Sequence, residues 1–251
     1  MAKISKIKNL TPEDVEDVFT YFEQADNRKP SEMLKRVTKF KAVNQSQSEL
    51  NRLMQEKDIV IVTGAAGTGK TYGALWVALN MIKDASNNFK TISLTKSVRQ
   101  IKEEELGYMP GDEKEKLAPV MYSFTGNINK ICGTKIANDS LLRSGQIEWK
   151  PVAFLRGVQF DNTIAILDEA QNLSAHNIKT IITRLGKSSK LVIMGDLEQY
   201  DGKNIKESGF ETIKEILKDS PYVGVIEFKD SECVRNPIIT DIVKKLRKHD
   251  I

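Results

Sequence analysis

From residue 58 onward, short runs of β-branched and aliphatic residues recur between longer stretches with helical periodicity. The runs fall at 59–63, 91–94, 152–155, 163–167, 191–194 and 223–228. Several are apolar at nearly every position, as strands covered on both faces are. Helices are expected between them at Lys70–Lys83, at 174–185 (closed by Gly186), at 207–218, and at 237–248 with Asn236 as its cap. Strands separated by helices predict βαβ units and a mostly parallel sheet. The stretch 96–150 carries no clear strand and reads as a helical insertion plus loops.

Three helices are expected ahead of the first strand. In the segment 11–24, Thr11 is placed as an N-cap, Pro12 at the first helical position, and Glu13 and Asp14 in the first turn, where the helix dipole favours acids. Val15, Val18, Phe19 and Phe22 then follow at amphipathic spacing. Further helices are expected at 31–40 and 46–56. The predicted fold is a three-layer α/β domain over residues 46–251 with a small helical N-terminal attachment over residues 1–45.

Composition narrows the class. The chain has 251 residues, 40% hydrophobic and 29% charged, which excludes a disordered or collagen-like polymer. Its apolar runs fall far short of the ~20 residues of a membrane helix. The first ten residues alternate Lys with Ile and do not read as a secretory signal. Two cysteines, Cys132 and Cys233, make no disulfide framework, and His176 and His249 lack partner acids at metal-ligand spacing. A cytoplasmic protein is expected. The net charge of +4 arises from 38 basic and 34 acidic residues, an excess that does not decide for or against nucleic acid.

The chemistry begins at Gly64-Ala65-Ala66-Gly67-Thr68-Gly69-Lys70-Thr71, which matches the phosphate-loop pattern G-x4-G-K-[ST]. Glycines let the backbone curl so that successive N–H groups face an anion at a helix N-terminus. Lys70 is expected at the β- and γ-phosphates of ATP and the Thr71 hydroxyl on Mg²⁺. The second element is an apolar strand ending in Asp168-Glu169, which puts two carboxylates at the sheet edge where α/β sites lie. Asp168 is read as the Mg²⁺ ligand and Glu169 as the group that orients and polarises attacking water. The third is Gly195-Asp196-Leu197-Glu198-Gln199, where the Gln199 amide can contact the γ-phosphate or the water.

Together these pieces resemble the PhoH-like family of ATPases, whose core is similar to the first RecA-like domain of superfamily-1 helicases. The segment 105–112, Arg156-Gly157, Asp168-Glu169-Ala170-Gln171-Asn172, Thr183-Arg184-Leu185-Gly186 and Val234-Arg235-Asn236-Pro237 fall in the family's order. Gln47 matches its adenine-reading glutamine, since an amide can pair with the N6/N7 edge of adenine. Ala65 and Ser97 stand where the family usually has proline, and Asn236 where it often has histidine. The resemblance implies a RecA-like ATPase that assembles as a homo-oligomeric ring, a hexamer among the options. It also implies an arginine supplied by a neighbouring subunit, with Arg184 and Arg235 as candidates, and single-stranded RNA or DNA as partner. Thr95, Lys96 and Arg99 occupy the place where helicase-like proteins contact phosphates. Stacking platforms are not obvious, Tyr108 and Trp149 being the aromatics in the inserted region. Two other classes stand beside the motor: an ATP-dependent switch or scaffold, and a small-molecule kinase. The kinase would need an Arg-rich lid that the sequence lacks.

Overall fold

The computed structural model describes residues 32–97, 113–155, 157–200, 207–232 and 242. The expected helix at 11–24, that at 237–248 apart from residue 242, the segment 105–112, and Arg99, Arg156 and Arg235 lie outside them. In chain order the elements are α1 (Met33–Arg36), α2 (Gln45–Glu56), β1 (Ile59–Gly64), α3 (Lys70–Lys83), β2 (Thr91–Lys96), α4 (Glu113–Cys132), α5 (Ala137–Arg143) and β3 (Ile147–Trp149). They continue as β4 (Thr163–Asp168), α6 (Ala175–Ile182), β5 (Lys190–Gly195), α7 (Gly209–Leu217) and β6 (Val223–Phe228).

Six strands form one sheet in the order β3-β2-β4-β5-β1-β6, and every neighbouring pair is parallel. Alternation along each strand builds two cores, because successive side chains point to opposite faces. Val60, Val62, Ile92, Leu94, Ile164, Ile166, Val192 and Met194 share one core with Leu34 of α1, Leu50 of α2, Leu75 and Leu79 of α3, and Phe124 and Ile128 of α4. Ile59, Ile61, Ala165, Leu167, Leu191 and Ile193 share the other with Ile178 and Ile181 of α6 and Phe210 of α7. This is the expected three-layer α/β architecture. Each large aliphatic side chain buried this way contributes about 1.5–3 kcal/mol.

Two local expectations are corrected. The run 152–155 is a short 3-10 helix, and the strand of this region is Ile147–Trp149 in the expected loop stretch. Ile147, Glu148 and Trp149 pair with Ile92, Ser93 and Leu94, and the Lys150 N–H donates to the Leu94 carbonyl at 2.9 Å. Pro151 has no N–H with which to continue such a ladder. An apolar run of four residues has no period that separates a strand from a buried turn.

The helix expected at 31–40 is only Met33–Arg36, because Val37 is extended. Its carbonyl accepts from Lys83 Nζ at 2.5 Å, and the Thr38 carbonyl accepts from Trp76 Nε1 at 3.0 Å and Asn80 Nδ2 at 3.1 Å. Side chains of α3 thus take the carbonyls that further helical turns would use.

Candidate active site

Most of the candidate residues gather at the C-terminal edge of the sheet because β1, β2, β4 and β5 all point there. At the end of β1 the chain curls through the phosphate loop and enters α3. Gly67 and Gly69 hold φ of 86° and 90°, a conformation that side chains disfavour and glycine adopts readily. Thr68, fully buried, donates its hydroxyl to the Ala65 carbonyl at 2.8 Å and closes the loop on itself. Lys70 Nζ donates to the carbonyls of Gly64 at 2.5 Å and Ala65 at 2.8 Å. The loop therefore surrounds its own lysine at the N-terminus of a 14-residue helix, where the dipole attracts anions.

Across the cleft, β4 ends on Asp168. Thr71 Oγ1 donates to Asp168 Oδ2 at 3.1 Å, and the Glu169 N–H donates to Asp168 Oδ1 at 3.0 Å. Burial pushes the Asp168 carboxyl above the usual carboxylate range, and the neighbouring charge of Glu169 adds to this. Lys96 and the two hydrogen bonds oppose the rise.

A hydroxyl and a carboxylate in contact are hard oxygen donors of the kind Mg²⁺ takes beside substrate phosphates and water. No group of three or more His, Cys, Asp or Glu capable of holding a metal exists among the described residues. The pair therefore fits a phosphate-bridged Mg²⁺ better than a cage built from protein alone.

Glu169 adopts a left-handed backbone, φ 56°, a conformation that costs a non-glycine residue about 1–3 kcal/mol and recurs at functional sites. Its carboxylate is held by Gln171, whose Nε2 donates to Glu169 Oε2 at 2.8 Å. Gln171 is buried and accepts the Asp196 N–H on Oε1 at 3.1 Å. Asp196 Oδ2 in turn accepts from Gln199 Nε2 at 2.8 Å. The ends of β4 and β5 are thus tied into one hydrogen-bonded chain.

A cavity of about 720 Å³ opens between these elements. Of the residues singled out in the sequence, Gln47, Ala66, Gly67, Gly69, Lys70, Thr71, Lys96, Asp168, Glu169 and Gln199 line it, while Gly64, Ala65 and Thr68 form the loop behind. Gln47 is 2% exposed. It sits in the first turn of α2, which Asn44 caps by accepting the Gln47 N–H at 2.8 Å. Its Oε1 accepts the Val43 N–H at 3.1 Å, which orients the amide.

Other placements differ from the sequence reading. Thr95, expected at nucleic-acid phosphates, is 4% exposed within the sheet, so its hydroxyl is not presented to a strand. Lys96 faces the cavity. Arg184 lies at the opposite edge of the sheet, where its carbonyl accepts the Phe160 N–H at 2.8 Å ahead of β4. Trp149 packs against the core.

The sequence reading missed one wall altogether. Ser123, Asn127 and Lys130 of α4 line the cavity with Tyr72 and Trp76, and Lys130 Nζ lies 5.3 Å from the centre of the Tyr72 ring, a cation–π contact. The signal was present as a polar stripe at i, i+4, i+7 running beside the apolar stripe of Phe124, Ile128 and Ile131, but nothing in that stripe names the element it faces.

An all-parallel sheet with a phosphate loop after β1 and an acid pair after β4, with β5 between them, defines a P-loop NTPase core. The family model described as PhoH-like protein matches residues 39–247, and the chain belongs to that family. It is 35% identical over 204 residues to the PhoH-like protein of Bacillus subtilis (strain 168), covering 81% of this chain and 63% of that protein. To Protein PhoH of Escherichia coli (strain K12) it is 32% identical over 200 residues, covering 78% of this chain and 55% of the relative. The chain therefore spans less than two thirds of the length of these relatives. Among solved structures it is similar to the Pif1 helicase from Candida albicans, with a TM-score of 0.40 and 14% identity over 83% of this chain and 44% of that one. The Pyrococcus furiosus Hef helicase domain gives a TM-score of 0.42 and 10% identity over 72% of this chain and 37% of that one. No helix among the described residues is long and apolar enough to cross a membrane.

Proposed function

We propose that this chain binds Mg²⁺-ATP and hydrolyses it, as an oligomeric motor or remodeller of single-stranded RNA or DNA. The observation that carries the nucleotide chemistry is the 3.1 Å contact between Thr71 Oγ1 and Asp168 Oδ2 at the mouth of the phosphate loop. It joins two motifs 97 residues apart in the chain and brings two hard oxygen donors together. Lys70 and the loop amides bind the β- and γ-phosphates, and Gln47 reads the adenine edge. Thr71 and Asp168 hold Mg²⁺, which supplies charge neutralisation to the phosphates when bound.

Glu169 orients the attacking water. An acid positioned for water serves hydrolysis rather than transfer to an alcohol, and this favours an ATPase over a kinase. Gln199 joins the γ-phosphate side through the Asp196–Gln171 chain. Arg184 or Arg235 comes from a neighbouring subunit of a ring. For Arg184 that arrangement is required, since within one chain it lies at the far edge of the sheet. The strand partner and the ring rest on the family's resemblance to helicase cores.

The test is steady-state Mg²⁺-ATP hydrolysis with and without single-stranded RNA and DNA, with Glu169→Gln as control. Turnover stimulated by one nucleic acid and lost in the variant is the expected result. Turnover indifferent to both would replace the motor with an ATP-dependent switch or scaffold.

A further inference from the structure

We infer that Lys96 is a catalytic cation of the nucleotide site, acting within its own chain on the γ-phosphoryl group rather than on a nucleic-acid strand. The inference rests on the ATP-hydrolysing reading above. Lys96 is the last residue of β2 and stands in register with Asp168 of β4. The next residue locks this arrangement, since the Ser97 N–H donates to the Asp168 carbonyl at 3.0 Å.

The Lys96 side chain, 22% exposed, enters the cavity opposite the phosphate loop. Its Nζ lies 3.9 Å from Glu169 Oε1 and donates to Ser123 Oγ of α4 at 3.2 Å. An ion pair at that separation between partly exposed groups contributes little to stability, about 0–1 kcal/mol. A lysine held loosely beside the carboxylate that orients water is placed to exchange that contact for a phosphate oxygen.

The chemistry gives such a cation work to do. The water oxygen forms its bond to the γ-phosphorus as the bond to the β,γ-bridging oxygen breaks. The electron pair leaves on ADP, and the water proton passes by way of Glu169 to solvent. Negative charge is spread over the equatorial γ-phosphoryl oxygens during the step, and Lys70 approaches them only from the loop side. A second ammonium on the opposite wall stabilises the transition state without rearrangement, which is the source of its effect on rate. Ser123 ties that ammonium to α4, so the inserted helix bears directly on the reacting end of the nucleotide.

The experiment compares wild type, Lys96→Met, Lys96→Arg and Glu169→Gln as full chains, measuring ATP affinity by equilibrium titration and unstimulated turnover separately. Lys96→Met is expected to lower kcat by about 10²-fold, with ATP Kd within about threefold of wild type and thermal stability unchanged. Lys96→Arg, which keeps the charge, should recover most of the loss. Wild-type unstimulated turnover in Lys96→Met, with only the nucleic-acid response weakened, would overturn the inference and return Lys96 to the strand. A loss confined to ATP affinity would also overturn it. Equal turnover in wild type and Glu169→Gln would instead remove the hydrolytic reading of the site, and the role of Lys96 with it.

Discussion

Gln171 Nε2 donates to Glu169 Oε2 at 2.8 Å while its own Oε1 accepts the Asp196 N–H at 3.1 Å. One buried amide therefore fixes the carboxylate after β4 and the turn after β5 together. Both of its hydrogen-bonding ends are used, and the contact supports a residue in a left-handed backbone conformation. The nearby Ser208 hydroxyl adds a bond to the Gln171 carbonyl at 3.0 Å.

Gln171→Ala should accordingly lower kcat for ATP by at least about tenfold through a freed Glu169, with ATP Kd little changed. It should also lower unfolding free energy by about 1–3 kcal/mol, the cost of leaving the buried Asp196 N–H without its partner. Turnover against affinity, with urea unfolding in parallel, checks both parts. An unchanged kcat in a destabilised variant would leave Gln171 a purely structural residue.

The Thr71–Asp168 pair predicts how the protein responds to metal. Thr71→Ala should raise the Mg²⁺ concentration for half-maximal turnover by about tenfold or more, the range that residues supporting metal ligands already show. Chelation by EDTA should abolish hydrolysis yet leave the melting temperature of the nucleotide-free protein where it was, because among the described residues no group of three or more His, Cys, Asp or Glu could hold the ion. Calorimetry with and without chelator is the direct measurement. A large fall in melting temperature would mean a structural metal.

Gly195 ends β5 against the ring of Phe210. A Cβ placed there would lie 2.6 Å from Phe210 Cε1 and 3.2 Å from the Gln171 N. Gly195→Ala must therefore displace either the core of the second layer or the segment that holds Glu169. It should cost about 1–3 kcal/mol of stability, as overpacking does, and reduce turnover as well. Coupled losses in urea midpoint and kcat are the expected signature.

The acid stability of the α2 terminus is set by Glu232. Burial pushes its carboxyl upward, but the Ser46 hydroxyl, with the Ser46, Lys229 and Gln45 backbone, brings it below its ordinary value of 4.5. The Ser46 N–H contributes at 3.1 Å and the Ser46 hydroxyl bonds Glu232 Oε2. A carboxyl whose value is lowered on folding adds stability above its unfolded value, and that stability is lost as pH falls through the folded value. Glu232→Gln should therefore be less stable than wild type near neutrality, with the gap closing below about pH 4.5. Urea midpoints of both proteins across that range measure it. Since Gln47 lies in the same helical turn, ATP affinity should weaken with the same variant.

Much of this molecule is legible along the chain because its signals are local. The phosphate loop needs only eight consecutive residues and the conformational freedom of Gly67 and Gly69. The strands β1, β4, β5 and β6 are runs long enough for apolar character to identify them, and α3 carries its full helical period. The candidate site was visible as motifs for the same reason.

What tertiary structure decided are the matters that depend on another element's position. The strand at Ile147–Trp149 exists because β2 offers it a ladder, whereas the more apolar 152–155 has none and turns. Helix α1 stops where side chains of α3 claim the carbonyls of Val37 and Thr38. Lys96 faces the cavity beside the phosphate loop and Thr95 is buried because parallel register sets β2 against β4, and Arg184 stands at the far edge because α6 runs back across the sheet. Spacing along a chain carries periodicity and local backbone preference. It does not carry which wall a side chain meets, since packing between distant segments settles that.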